Sequence, residues 1–536
     1  MKIRKLIIIP ILIIAFLIRF INLGSTPALN PDEAALGYNA YSLLETGKDE
    51  YGVSWPLHFQ SFNDYKPGGY IYLALPFIKL LGLNPLAIRL PNLILSLLTI
   101  YFLYKLILLL SKKENLALIT AFILTVSPWH IHFSRGAWES SAALAFIVIG
   151  LYFFFKAIKK NFILNFSIFI ISFIASLYIY HSARLIAPLL ALTLCLLYFK
   201  FLIKKLPQIL IPLVLAILLA IPVLFSFLNN GGTTRLGGVG LTADKGPINR
   251  ANELINQHQP SLVNRVMHNK RILYFISWTE KYSSHFNLNF LFTNGDEVPR
   301  SKVPEMGQAY LIEIFFLIIG IAFLLKTKLF SSKVKTFIIL FLLITPIASS
   351  LTFQAPSALR ALSMVIPLTI FISLGIYSFL IFSKKYSKII IPILILFYGY
   401  SITYYLDNYF NHYPQRLPFA WQYGFDDLVP YLEKEKNNYD HIYITNKYDQ
   451  PYILFLFYSQ KNPSEIQNQL KLTSPDNFGF STIQNYDNYH FQKIDWQSIP
   501  ENSLVAVSDE QVPDDKIIKK LISFPNGQAA FTVYEK

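Results

Sequence analysis

The sequence predicts an all-α polytopic membrane protein of about eleven crossings, closed by a small α/β domain at its C-terminal end. Three observations predict it. Hydrophobic residues make up 53% of the 536 and charged residues 15%, against roughly 25% charged in soluble domains. Runs such as Leu6 to Leu23, Leu206 to Leu228 and Ile389 to Tyr405 are long enough to cross ~30 Å of hydrocarbon at ~1.5 Å per residue. Short lysine clusters recur between such runs, the pattern that fixes membrane orientation.

Composition also excludes. The net charge of +15 sits at helix ends, which argues against nucleic acid as a partner. One cysteine, Cys195, lies within an apolar run, so an intrachain disulfide and a zinc–thiolate cluster are both ruled out. Met1-Lys-Ile-Arg-Lys followed by about seventeen apolar residues resembles a signal peptide, but no small-x-small site closes the run. It reads as a retained first helix with its basic end in the cytoplasm.

Lys2, Arg4 and Lys5 place the N-terminus inside. Cytoplasmic turns follow at Lys112 and Lys113, at Lys156, Lys159 and Lys160, and at Lys200, Lys204 and Lys205. Two more lie at Lys326 to Lys335 and at Lys384 to Lys388. Between them helices are expected at 6–23, 87–110, 116–132, 140–158, 162–180, 184–200, 206–228, 309–325, 335–351, 358–382 and 389–406. Eleven is odd, so the C-terminus is expected outside a multi-pass plasma-membrane protein. Gly69 to Leu83 is short, and as a crossing it would put Lys112 and Lys113 on the wrong side; it reads as a helix at the outer surface.

Three regions remain outside: 24–86, 229–308 and the tail from 407. The predicted division is therefore a membrane domain over 1–406 and an extracytoplasmic α/β domain over 407–536. In the tail, His441-Ile-Tyr-Ile-Thr, Ser503-Leu-Val-Ala-Val and Ala530-Phe-Thr-Val-Tyr read as strands, and Pro451 to Ser459 as a short helix.

Candidate chemistry concentrates outside. The first loop carries Pro31-Asp32-Glu33, then Tyr38, and later Asp64-Tyr65-Lys66-Pro67-Gly68. Adjacent acids at the membrane surface are costly against lipid. A carboxylate there serves as a general base or holds a divalent cation. The plainer alternative is that Asp32 N-caps the helix that follows. Lys66, beside a flexible backbone at a helix start, suits phosphate oxygens, or else snorkels to water.

Three more outer ends carry one arginine each. They are Ser127-Pro-Trp-His130-Ile-His132-Phe-Ser-Arg135-Gly-Ala-Trp138-Glu139, Tyr178-Ile-Tyr180-His181-Ser-Ala-Arg184-Leu and Pro356-Ser-Ala-Leu-Arg360-Ala. Such arginines bind phosphate well, although a lone one more often anchors lipid headgroups. His130 and His132 are read as polar lining, as are Tyr38, Asp64, Tyr65, Arg135, Glu139 and His181 around a candidate pocket.

Taken together, these pieces resemble the lipid-linked-sugar glycosyltransferases of the GT-C superfold. The nearest branch is that of the bacterial relatives of protein O-mannosyltransferases and of the lipid A aminoarabinose transferase. The resemblance also draws on His285-Phe-Asn-Leu-Asn-Phe-Leu-Phe-Thr-Asn-Gly295-Asp296 and Met306-Gly307-Gln308, and covers roughly residues 1 to 410. It implies transfer of a sugar from a polyprenyl-phosphate carrier, dolichyl or undecaprenyl, to a lipid, glycan or protein acceptor outside, with inversion. It implies Asp32 as base, with Glu33 supporting it or binding Mg or Mn, and Lys66 at the donor phosphate. Arg360 and Arg184 are further implied phosphate contacts. The aminoarabinose branch has two prolines after its lysine; here Pro67-Gly68 follows, so the sugar is not carried over.

Two other readings compete. A transporter or flippase for a lipid-linked sugar would place polar sites near mid-membrane on broken, repeated halves, whereas these helix centres are nearly free of charge. A non-catalytic envelope-assembly protein would share the outer loops without needing Asp32.

Overall fold

The computed structural model describes residues 7–229, 240–257, 262–476 and 479–536. Lys2, Arg4 and Lys5, which set the expected orientation, lie outside the described residues, as do parts of the 229–308 loop. The chain forms two compact units. One comprises residues 1–19, 94–134 and 139–405; the other comprises 20–93, 135–138 and 406–536.

The first unit is helical. Each expected crossing has a helix, from Ile8–Phe20 and Pro85–Ser111 through Leu206–Asn229 to Ser387–Asp407. Among the described residues, seven helices are long and apolar enough to cross a membrane, and eight if Glu114–Val126 and Pro128–Ser134 count as one bent by 58°. The bend has a local cause: Ser127 precedes a proline and is extended, at φ −61° and ψ 122°. Ile8–Phe20, Ala183–Leu197 and Glu313–Lys326 are shorter than their apolar runs suggested. Helices Glu313–Lys326 and Val365–Phe382 touch backbone to backbone at Gly320 and Gly375. A Cβ on Gly375 would lie 1.9 Å from the Phe316 carbonyl oxygen. Small residues allow such an approach where no hydrophobic force drives helices together.

The second unit joins the first large loop to the tail. Its helix Pro31–Thr46 is capped by Asn30, whose Oδ1 accepts the Glu33 N–H at 3.1 Å. Glu33 reaches back to Asn30 and closes a capping box. The cap is thus Asn30, not Asp32. A hairpin follows, β1 (His58–Ser61) against β2 (Asp64–Pro67), turning at Phe62 and Asn63. Helix Gly69–Leu81, expected at a surface, buries Tyr70, Ile71, Ala74 and Ile78.

The tail is built on a six-stranded sheet. In chain order its strands are β3 (His441–Thr445), β4 (Asn485–Tyr486), β5 (Tyr489–Gln492), β6 (Ser503–Val507), β7 (Ile517–Ser523) and β8 (Ala529–Glu535). Their spatial order is β4-β5-β3-β6-β8-β7, with β3 parallel to β5 and β6 and the other pairs antiparallel. All three strands expected from sequence are present, as β3, β6 and β8. Strand β7 carries Lys519 and Lys520 on a mostly exposed edge, a composition that hides a strand while protecting it from mispairing.

Helix Pro451–Tyr458 is apolar on every side, so all of its faces need cover. It packs on Pro31–Thr46 at Gly37, where a Cβ would meet the Phe457 ring at 2.6 Å. Gln467 Nε2 adds a bond to the Asp49 carbonyl at 2.8 Å. The tail and the first large loop therefore share one core.

Candidate active site

Asp32 and Glu33 are adjacent in sequence but meet different surroundings. Side chains one residue apart on a helix point about 100° apart. Asp32, in the first turn, keeps 43% of its side chain exposed and forms an ion pair with Lys66, itself 11% exposed. Lys66 arrives on β2, opposite Phe59 in the hairpin register. Its Nζ lies 5.1 Å over the Phe62 ring, a cation–π arrangement.

Glu33 is 1% exposed and saturated with donors. Arg89 gives Nε to Oε1 at 2.8 Å and Nη2 to Oε2 at 2.7 Å. Ala137 N–H adds 2.7 Å to Oε1, and Asn30 Nδ2 adds 3.0 Å to Oε2. Asn92 fixes the turn that supplies Ala137, donating to the Gly136 and Trp138 carbonyls at 2.7 and 2.9 Å. Arg89 also binds the carbonyls of Leu23, Pro27 and Ala28. So engaged, the Glu33 carboxylate fixes the helix start that presents Asp32.

A divalent cation shared by Asp32 and Glu33 does not fit this arrangement. Among the described residues no three His, Cys, Asp or Glu side chains gather as a metal site.

Other expected lining residues have structural duties in this unit. Tyr38 is buried, and its hydroxyl donates to the Lys461 carbonyl at 2.9 Å. Arg135 is buried, donating to the carbonyls of Ile21 and Thr26, with its guanidinium 5.0 Å from the Tyr409 ring centroid. Both side chains thus hold backbone carbonyls of this unit. Asp64 and Tyr65 are partly exposed on the hairpin, in register with Ser61 and Gln60.

Sequence reasoning missed Arg89 and Glu50. Arg89 sat at the start of an expected crossing, where a charge demands a partner; that was the available signal. Glu50 is fully buried, with Oε1 accepting from Asn39 Nδ2 at 3.0 Å and the Glu50 N–H donating to Asn39 Oδ1 at 3.0 Å. Burial pushes its carboxyl up to about 8, so it holds a proton at neutral pH.

In the first unit, one cleft is lined by Arg360 and Ser363 together with Tyr180, Ser182 and Ser140. Arg360 Nη1 donates to the Gln354 carbonyl at 3.2 Å and to Thr352 Oγ1 at 3.3 Å. The turn before it is pinned from the 285–296 segment. Asp296 Oδ2 accepts the Ala358 N–H at 2.6 Å, and His285 Nε2 meets Ser349 Oγ at 2.7 Å. Burial lowers His285 to about 4, leaving it neutral at pH 7. Arg184 opens helix Ala183–Leu197 and donates Nε to the Leu177 carbonyl at 3.1 Å. His181 lies in the turn just before it, and Glu139 in the first turn of Glu139–Ala157; both are partly exposed. His130 is buried against Arg19 at 2.9 Å, and His132 Nε2 meets the Arg300 carbonyl at 2.8 Å.

A model of the family described as dolichyl-phosphate-mannose-protein mannosyltransferase matches residues 9–230. No curated protein matches the chain by sequence. Among solved structures, ArnT from Cupriavidus metallidurans bound to undecaprenyl phosphate aligns with a TM-score of 0.57 at 10% identity. That alignment covers 98% of this chain and 97% of ArnT. The archaeal oligosaccharyltransferase AglB from Archaeoglobus fulgidus, in complex with an inhibitory peptide and a dolichol-phosphate, gives 0.48 at 13% identity. It covers 85% of this chain and 64% of AglB. With several helices long and apolar enough to cross a membrane, the chain thus shares the fold of ArnT over nearly its whole length, and its residues 9–230 match the mannosyltransferase family model.

Proposed function

We propose that the protein transfers a sugar from a polyprenyl-phosphate-linked donor to a lipid, glycan or protein acceptor on the extracytoplasmic side, with inversion, and that Asp32 is the base. The observation that carries this reading is the contrast between neighbouring acids. Asp32 is half-exposed and set against a lysine, while Glu33 is sealed by Arg89. The mannosyltransferase family match and the undecaprenyl phosphate bound to ArnT support the donor class.

The chemistry is a single displacement. Asp32 removes the acceptor's proton as its oxygen or nitrogen attacks the anomeric carbon. The bond from that carbon to the phosphate oxygen breaks on the opposite face, which inverts the centre. The leaving polyprenyl phosphate already bears charge and needs cations, not a proton. Lys66 has three N–H donors, enough to hold Asp32 and a phosphate oxygen together. Arg360 and Arg184 are proposed as further anion contacts. No step passes through a metal.

The test is transfer of radiolabelled sugar from a panel of polyprenyl-phosphate sugars, in membranes carrying wild type or Asp32→Asn. We expect wild-type transfer to fall at least about 10²-fold in the variant at unchanged thermal stability, the scale of a lost general base. Full transfer by Asp32→Asn would remove Asp32 from the base role.

A further inference from the structure

Glycosyl transfer as derived above uses no residue of the tail, yet the tail grips the turn that delivers Lys66. That turn is Phe62-Asn63, with φ of +56° and +66°. Two left-handed residues suit the twist of a two-residue hairpin, but asparagine and glycine fit there and phenylalanine does so with strain. Such a backbone persists where its surroundings over-determine it.

The surroundings come from the tail. Ser481 N–H donates to the Phe62 carbonyl at 3.1 Å. Asn63 Nδ2 donates to the Gly479 carbonyl at 3.1 Å. The Phe62 ring stands edge-on to Tyr452, centroids 6.1 Å apart. Tyr452 is itself buried in the apolar helix Pro451–Tyr458, with its hydroxyl 3.4 Å from that of Tyr51. Gln450, the N-cap of that helix, donates Nε2 to the Ser481 carbonyl at 3.1 Å, so the ring and the 479–481 segment are fixed by one element. Phe62 then meets Lys66, whose ammonium lies over its ring and pairs with Asp32.

We propose that the tail is a positioning element for the active site, with Tyr452 and the 479–481 segment fixing Phe62, and Phe62 fixing the Lys66 ammonium against Asp32. This rests on the roles given to Asp32 and Lys66 under the proposed function. Lysine has four rotatable bonds and no geometry of its own. A ring face held from behind supplies that geometry, and small misplacements of a charge-stabilising group lower rates steeply. Phe62 and Tyr452 are positioning residues, not catalytic ones.

The experiment uses the full chain in nanodiscs and two readouts. The first is the rate at which acetic anhydride modifies Lys66, followed by peptide mass spectrometry, which needs no enzymatic activity. The second is kcat and KM for sugar transfer. Phe62→Leu keeps apolar bulk and removes the ring, and Phe62→Tyr restores a ring. Tyr452→Leu removes the support, and Ile517→Ser on edge strand β7 is the control. We expect Phe62→Leu and Tyr452→Leu to raise Lys66 labelling about fivefold, as a lost cation–π contact would. We expect both to lower kcat about tenfold at matched thermal midpoints. Phe62→Tyr should recover both values and Ile517→Ser should change neither.

Wild-type labelling in both leucine variants would overturn the proposal. Raised labelling with undiminished kcat would uphold the positioning of Lys66 but remove Lys66 from the reaction. If wild type transferred no sugar from any donor, the labelling result alone would still decide the positioning.

Discussion

Arg89 clasps both oxygens of Glu33, at 2.8 and 2.7 Å, with both side chains sealed from solvent. Bidentate geometry and the added donors from Asn30 and Ala137 offset the desolvation of two charges. The pair ties helix Pro31–Thr46, the start of Pro85–Ser111 and the 135–138 turn into one frame around Asp32.

Breaking that pair is therefore a stability lesion first. Glu33→Gln should destabilise the protein by about 3 kcal/mol, because it leaves the Arg89 charge buried without its counter-ion. Thermal unfolding in detergent would show it, and activity should fall with the folded fraction. A Glu33→Gln variant of wild-type stability but no activity would return Glu33 to the chemistry.

Lys66 should behave in the opposite way. Lys66→Met is expected to lower transfer about 10²-fold, as losing one charge-stabilising donor does, with a smaller effect on melting. Lys66→Arg should recover only part of this, since a planar fork does not reproduce a compact ammonium. Equal transfer by Lys66→Met and wild type would exclude Lys66 from the donor phosphate.

Glu50 makes the protein's stability depend on pH. Its folded-state value of about 8 lies above the ordinary 4.5. Between these two values the native state keeps a proton that the unfolded chain has released. Its contribution is full below about pH 4.5 and is lost as pH rises to about 8. Glu50→Gln should flatten this fall, so its advantage in melting temperature over wild type grows from pH 5 to pH 8. A constant difference across that range would show that Glu50 ionises normally.

Gly375 tests the helix packing. Gly375→Ala would drive its methyl into the Phe316 carbonyl, and the two helices would have to separate. We expect a loss of about 2 kcal/mol or more in thermal unfolding. Gly399, with open space at its Cβ position, should accept alanine without loss.

Much of the molecule was legible in the chain. Apolar runs and lysine clusters located the helices, because crossing hydrocarbon constrains composition over some twenty consecutive residues. Strands His441–Thr445 and Ser503–Val507 were legible because both faces are buried and the apolar signal is continuous. Strand β5, reading Tyr-His-Phe-Gln, was not, since half of its side chains are polar.

The site divides along the same line. Sequence alone determined that Asp32, Glu33 and Lys66 lie in one loop beside a membrane helix, because that follows from local order and hydropathy. Only the tertiary structure decided which acid is available. Asp32 and Glu33 differ by one step around a helix. What separates them is Arg89, 56 positions further on, and the turn at Ala137, 104 positions further on. A carboxylate's role depends on which donors the fold brings to its oxygens, and partners that distant leave no trace in the residues around it.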